Sequence, residues 1–508
     1  MGFLGQLFVK PALRCDIEGV AETQNLKNIN KIHENEKSTE ILVEDVSGYR
    51  AKSKTRVVDR WLDAVVRASG SAVAFSIILA MLIAWALIGI RFGTQLVWKA
   101  FISDVQAILC YVFDSFLMRQ LLNAYEEEQM AAAMMRSRLI SHKRMLGKLK
   151  NRLAKDDIVR LSGSLDTQPQ ENFEGSLKPL GLFGRIIIIS SRALGHIATV
   201  CMYWVCIFIW LGFGHYCGWT NTWQLYINSA TSALMVFVFA FLACLRECYS
   251  DYTNICMDAI YRVNACLELE LRILTDDESA NEPVLIPAPK ENWLQLCIYY
   301  YADVVGTLVG IIILVVVIAV WIAVGPVLKF NNNWWLLIGT YAGLVGLFDS
   351  FVLRNIQGRL KHYENVQAEI IEKEEEIVFE TIGIDIPVKE TVNSSSLSYR
   401  ISAAVGEISS HLLMVVAGFL LTVGCVVGSS VMRWNETGQL ISNIPPSIIE
   451  TFFMLILITG QIYMDASARV NFKNIYNRRQ RLLAFVKAAK GTRPGNALVE
   501  NSDIDLIH

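Results

Sequence analysis

The 508-residue chain has no excess of charge of one sign: 46 Lys and Arg stand against 48 Asp and Glu, a net charge of −2. No basic face for nucleic acid is expected, because phosphate binding rests on clustered cations. Charged residues make up only 19% of the chain, below the roughly one quarter of a soluble domain. The 11 cysteines follow no disulfide spacing, and only Cys217 falls in an outward turn, which excludes a secreted disulfide scaffold. No Gly-x-x-x-x-Gly-Lys-Ser/Thr loop occurs, so nothing supports ATP hydrolysis. Residues 1–67 are polar, and no cleavable apolar leader is expected there.

Apolar residues are abundant: 53% of the chain is hydrophobic and the mean hydropathy is +0.38. The excess is gathered into runs of about 20 residues, the length that crosses a bilayer core. The runs lie at 72–90, 101–121, 194–213, 223–245, 304–325, 335–354, 408–431 and 444–463. Each must be a helix, because only a helix satisfies its own backbone groups in hydrocarbon. The expected fold is therefore all-α, a polytopic membrane protein with eight spans in four two-helix units. The units are 68–121, 186–245, 293–354 and 401–463. Helical linkers at 122–185, 246–292 and 355–400 join them, with terminal segments at 1–67 and 464–508. Of the 46 basic residues, 42 fall in the long segments, the tails and the span ends joined to them, and the short turns hold Arg91, Lys99, Lys329 and Arg433. The positive-inside rule then places both termini in the cytoplasm. Trp98, Trp219, Trp223, Trp334, Trp335 and Trp434 crowd the outward turns and read as an aromatic belt.

The units repeat. At a shift of 215, His196, Trp219, Gln224 and Asn228 fall on His411, Trp434, Gln439 and Asn443. At 235 to 236, Trp85 and Gly89 fall on Trp321 and Gly325, and Phe113-Asp114-Ser115-Phe116 falls on Phe348-Asp349-Ser350-Phe351. Trp210 and Gly214 repeat the Trp-x-x-x-Gly step. The order A–B–A′–B′ predicts parallel repeats about a pseudo-twofold axis along the membrane normal.

Val57-Val58-Asp59-Arg60-Trp61, running through Arg67-Ala68-Ser69-Gly70-Ser71 to Ala84-Trp85-Ala86-Leu87-Ile88-Gly89, resembles the opening of the low-affinity iron permease family. The Thr222-Trp223-Gln224-Leu225 stretch ending at Asn228 is similar to a recurring motif of that family, as is Asp114-Ser115-Phe116-Leu117-Met118-Arg119-Gln120. Unit four departs, with Gly438 in place of the Trp and Pro445-Pro446 in the second helix. The resemblance implies uptake of Fe(II), with entry of other divalent metals such as copper, zinc or manganese, at a fungal plasma membrane.

Ionisable groups at membrane depth cost roughly 2.5–3.5 kcal/mol each and mark pathways. Asp104, Asp114, Asp349 and Glu450 are the candidate metal ligands, with Gln106 and Cys110 on the face of Asp114. Asn443, Ser447, Glu450, Met454 and Gln461 form one stripe, and Asn228, Ser232 and Met235 repeat its upper part. Fe(II) accepts carboxylate, amide, imidazole and thioether ligands, whereas carboxylates alone suit Mg or Ca. Hydrogen bonding between helices competes as the reading of the Asn and Ser residues. An ion pair with Arg119 or Arg354 competes for the two Asp residues. His196 and His411, level with Ser71 and Thr307, are candidates for an exit ring, against the plainer fate of hydrogen-bonded surface histidines. No permanently bound cofactor is expected; Fe(II) is the transported ion. The bilayer is the environment, and a second copy of the chain is a candidate partner. A gradient-driven transporter is the leading function, with a non-selective cation channel and a transport-inactive membrane scaffold as alternatives.

Overall fold

A computed structural model describes residues 16–24, 43, 46, 48–49, 54, 56–165, 173, 181–392 and 397–491. The expected location of the two termini falls outside the described residues. Helices account for nearly all of what is described. The first hairpin runs α1 (Val57–Ser69), α2 (Ala72–Phe92) and α3 (Leu96–Arg152), with α4 (Lys155–Leu165) after it. The second is α5 (Leu182–Leu194), α6 (Ile197–Gly214) and α7 (Asn221–Thr275). The third is α8 (Trp293–Val305), α9 (Leu308–Val324) and α10 (Asn332–Ile382). The fourth is α11 (Leu397–Ser410), α12 (Leu412–Val431), the single turn α13 (Glu436–Ile441) and α14 (Ile444–Gly491).

Seven of these helices are long and apolar enough to cross a membrane, and up to eight spans result if α8 and α9, bent by 66°, make one. The members of each hairpin differ in what surrounds them. None of the apolar stretch of α2 is buried in the protein, and 22% of those in α6 and α12, against 72–78% in α3, α7, α10 and α14. The outer helices thus face lipid, while the inner ones build the core. Where separate helices were expected in the linkers, the inner spans run on unbroken for 48 to 57 residues. No Pro or Gly cluster stops them, and a second buried core takes over where the apolar stretch ends. Two three-residue strands not foreseen from the sequence, β1 (Ile17–Gly19) and β2 (Val284–Ile286), pair antiparallel against α3.

Three of the hairpins are closed by a stacked tryptophan pair. Trp85 and Trp98 stack at 4.3 Å, and each indole donates to the other's backbone carbonyl, at 3.4 and 3.1 Å. Trp321 and Trp334 repeat this at 4.4 Å, and Trp210 stacks on Trp223 at 3.9 Å. The Trp-x-x-x-Gly spacing follows, since Gly89, Gly214 and Gly325 leave room for Trp98, Trp219 and Phe330 rings that a β-carbon would strike. In the fourth hairpin Cys425 and Gly438 replace the pair, and serines do the work. Ser429 donates to the Gly438 carbonyl at 2.7 Å and Ser442 to the Cys425 carbonyl at 3.1 Å. Trp98, Trp223 and Trp334 are therefore hairpin locks rather than belt residues, whereas Trp219 and Trp434 are exposed. Pro445 and Pro446 do not interrupt a span. They sit in the first turn of α14, where missing N–H groups cost nothing.

The expected twofold pairing is overturned by the neighbour order. α3 packs on α7 and α10, and α14 packs on the same two, so the ring runs first, third, fourth, second hairpin. A rotation of 180° carrying the first hairpin onto the third would set them on opposite sides; here they are adjacent along their length. At one level on the side rich in basic residues, each inner helix meets the short-helix junction of the next hairpin. Arg119 Nη1 donates to the Gly306 carbonyl at 3.4 Å, and Thr459 to the Gly195 carbonyl at 3.0 Å. A β-carbon at Gly70 would lie 2.9 Å from the Ala243 carbonyl oxygen, and Ser410 lies over Gly358. A close approach of inner helix and junction is thus found at all four steps around the ring.

Candidate functional site

The inner helices bring most of the singled-out residues together. Gln106, Cys110 and Asp114 on α3, Asn228, Ser232 and Met235 on α7, Asp349 on α10, and Asn443, Ser447, Glu450, Met454 and Gln461 in and before α14 are all buried. Asp349 and Glu450 lie near enough for their charges to act on Asp114. Asp104 is also buried but sits ten residues, about 15 Å of helix, from Asp114 and outside that group.

Hydrogen bonds divide these residues into two kinds. Some join helices: Asn228 Nδ2 donates to Ser103 at 3.1 Å and Ser232 to Gln106 Oε1 at 3.2 Å. Gln106 Nε2 then reaches Cys110 Sγ at 3.3 Å and Met235 Sδ at 3.7 Å. Others are left without a partner although buried: both oxygens of Asp114, both of Glu450, Asp104 Oδ2, Asn228 Oδ1, Asn443 Nδ2 and Gln461 Oε1. A buried carboxylate with no partner is among the costliest features a fold can carry. Gathered between the inner helices, such atoms are satisfied by a proton, by water or by a cation.

The arginines do not supply the missing charge. Arg119 pairs with Asp63 at 2.6 Å and Asp59 at 3.4 Å, both on α1. Arg354 donates to Ser409 at 2.9 Å, to the Gly406 carbonyl at 2.7 Å and to Gln357. The ion-pair reading of Asp114 and Asp349 therefore fails; their arginines are committed elsewhere.

Two contributors were not read from the sequence. Tyr301, on α8, donates to Asp349 Oδ1 at 2.5 Å, and the run Tyr299-Tyr300-Tyr301 just before the bend between α8 and α9 was its only signal. Gly346 is the other: a β-carbon there would lie 2.5 Å from Glu450 Oε1 and 2.8 Å from Oε2. The Glu450 carboxylate lies over a glycine because no side chain fits between α10 and α14 at that height.

His196 and His411 form no ring. Both are exposed, and the Nδ1 of each accepts a backbone N–H, from Ala198 and Leu413, at 3.2 Å. They cap α6 and α12, as Ser71 caps α2. Among the described residues, no three His, Cys, Asp or Glu side chains are gathered closely enough to hold a metal ion. The arrangement offers carboxylate, amide and thioether groups in succession rather than as one cage.

A ring of lipid-facing hairpins around buried, unpartnered acids defines a polytopic membrane protein. The comparisons with known proteins agree with that class. The family model for low affinity iron permease matches residues 183–250, 299–399 and 398–502, and the chain belongs to this family. The match covers the second to fourth hairpins, although the resemblance was drawn from the first as well. The low-affinity iron/zinc ion transport protein fet4 of Schizosaccharomyces pombe is 32% identical over 438 residues, 84% of this chain and 73% of that one. The low-affinity Fe(2+) transport protein of Saccharomyces cerevisiae is 31% identical over 458 residues, 84% of this chain and 83% of that one. No solved structure matches.

Proposed function

We propose that the protein carries Fe(II) into the cell at low affinity, without ATP hydrolysis, along the acidic column between α3, α7, α10 and α14. Other divalent transition metals, zinc first among them, share the route. The observation that carries this reading is the set of buried oxygens of Asp114 and Glu450 without a hydrogen-bond partner, with Arg119 and Arg354 engaged elsewhere. A partly hydrated divalent cation supplies the charge those oxygens lack. Few protein ligands at any one level, with water completing the shell, account for low affinity. Met235 and Met454 make the column softer than an all-oxygen path, which favours Fe(II) over Mg or Ca.

The long-helix extensions and the basic side are cytoplasmic in this reading, and the membrane is the plasma membrane. An inside-negative potential then drives a divalent ion inward by about 4.6 kcal/mol per 100 mV. Four hairpins of common ancestry surround the column, with the second and fourth the more alike and the first and third the more alike.

The test is Fe(II) uptake into proteoliposomes holding the full chain, at an imposed potential and without ATP. Saturable uptake that grows with inside-negative potential is expected, with zinc competing. Absence of flux would overturn transport, and unsaturable conductance to monovalent cations would make the protein a channel.

A further inference from the structure

A second polar site lies off the column. Between α10, α11 and α14, on the basic side, a pocket of about 380 Å³ is lined by Arg354, Lys361, His362, Asn365, Ser402 and Glu407, among others. Glu407 is the one carboxylate in that lining, and it makes no ion pair with either cation. Among the described residues, neither Arg354 nor Lys361 has a carboxylate at ion-pairing distance; Arg354 donates only to neutral oxygens. The contrast is Arg119, the repeat-equivalent of Arg354, whose charge two aspartates neutralise. Ser402 adds a buried hydroxyl with no hydrogen-bond partner in the same wall. Arg354 itself is only 6% exposed. Burial, with the Arg354 charge beside it, holds the Lys361 ammonium below its usual range, and the Glu364 charge offsets this only in part.

The depth of the pocket selects among anions. Arg354 closes the apolar stretch of α10, and Lys361 and His362 follow within about 12 Å along the helix. That interval begins at the edge of the hydrocarbon core and runs through the headgroup layer. The wall formed by α11 also carries exposed Ile401 and Ile408, which suit an interfacial helix set against lipid. Basic recesses between membrane helices at this level are suited to phosphate-bearing headgroups.

We infer that the pocket between α10, α11 and α14 binds the anionic phosphate headgroup of a membrane lipid, with Arg354, Lys361 and His362 facing the phosphate. The site is independent of the transport reading. It shares α10 and α14 with the column but none of the column's side chains, and its ligand carries the opposite charge to the cargo.

The test uses the purified full-length protein in nanodiscs of phosphatidylcholine, with and without phosphatidylinositol phosphate. Bound lipid is read by native mass spectrometry and thermal unfolding. Retention of the anionic lipid and a raised unfolding midpoint are expected for the unaltered chain. Lys361→Gln and His362→Gln, at the rim where folding is not at stake, should each weaken retention about fivefold. Lys487→Gln, on the same side but outside the pocket, should leave it unchanged. Equal retention in all variants would overturn the site. Inorganic phosphate that raises the midpoint as much as the lipid does, and loses that effect in Lys361→Gln, would overturn the lipid as its source.

Discussion

The same four helices carry two chemistries along their length. In the apolar half, Asp114 and Glu450 are buried with no partner for either oxygen. In the basic-side half, equally buried carboxylates are paired: Glu268 with Arg138 at 2.8 Å and Arg272 at 2.9 Å, and Glu375 with Arg479 at 2.8 Å and with Arg478. Burial alone therefore does not distinguish a working carboxylate from a structural one. The presence of an arginine does. A paired acid fixes which helices meet, whereas an unpaired one, under the proposed function, holds a place for a charge that comes and goes.

Breaking each class should have opposite consequences. Glu268→Ala strips two buried arginines of their anion, at a cost of about 3–5 kcal/mol, and should be read as loss of folded protein on size-exclusion chromatography. Asp114→Asn, Asp349→Asn and Glu450→Gln keep shape and a hydrogen-bonding group while removing charge from the column. Their expected signature is a large fall in Fe(II) uptake per folded molecule at the surface, with abundance retained. Normal uptake per molecule in all three amides would erase the distinction between the two halves.

Gly346→Ala sharpens it within the membrane half. The added methyl occupies the space of the Glu450 carboxylate, so uptake should fall while all three column acids are still present. A subtler contrast lies just beyond the apolar stretch, where Glu128 and Glu364 hydrogen-bond to each other near Arg246. Burial, then the Glu128 charge, raises Glu364 well above its usual range. A raised carboxyl stabilises the fold below its unfolded value and loses that contribution as pH rises through the folded one. Glu364→Gln should therefore raise the unfolding temperature at about pH 8 and change it little near pH 4.5, leaving Glu128 opposite Arg246. The smallest effect belongs to the histidines. His196→Ala and His411→Ala should cost about 1 kcal/mol each as lost caps, measured by denaturant unfolding, with uptake per molecule unchanged.

Several of these residues were legible beforehand. Depth in an apolar run marked Asp114, Asp349 and Glu450, and helical spacing put Ser447, Glu450, Met454 and Gln461 on one buried face of α14. The repeat was visible in Trp, His and Asn positions, yet its pairing was misread. Likeness between segments does not fix which hairpins are neighbours, and adjacency is set by packing. Gly438 in place of a Trp looked like a defect, whereas Ser429 and Ser442 restore the lock one turn away. Spacing could not reveal that, because the compensating pair lies outside the motif.

By itself the sequence determined what local physics determines: which segments are apolar enough to cross, which face of each helix is polar, and which acids lie at depth. Those follow from hydropathy and a period of 3.6 residues, properties of a single segment. Only the tertiary structure decided the ring order, the engagement of Arg119 by Asp59 and Asp63, the seat of Glu450 over Gly346, and the capping role of His196 and His411. Partner choice among buried polar groups depends on which distant helices come within hydrogen-bonding reach, and no segment carries that information alone.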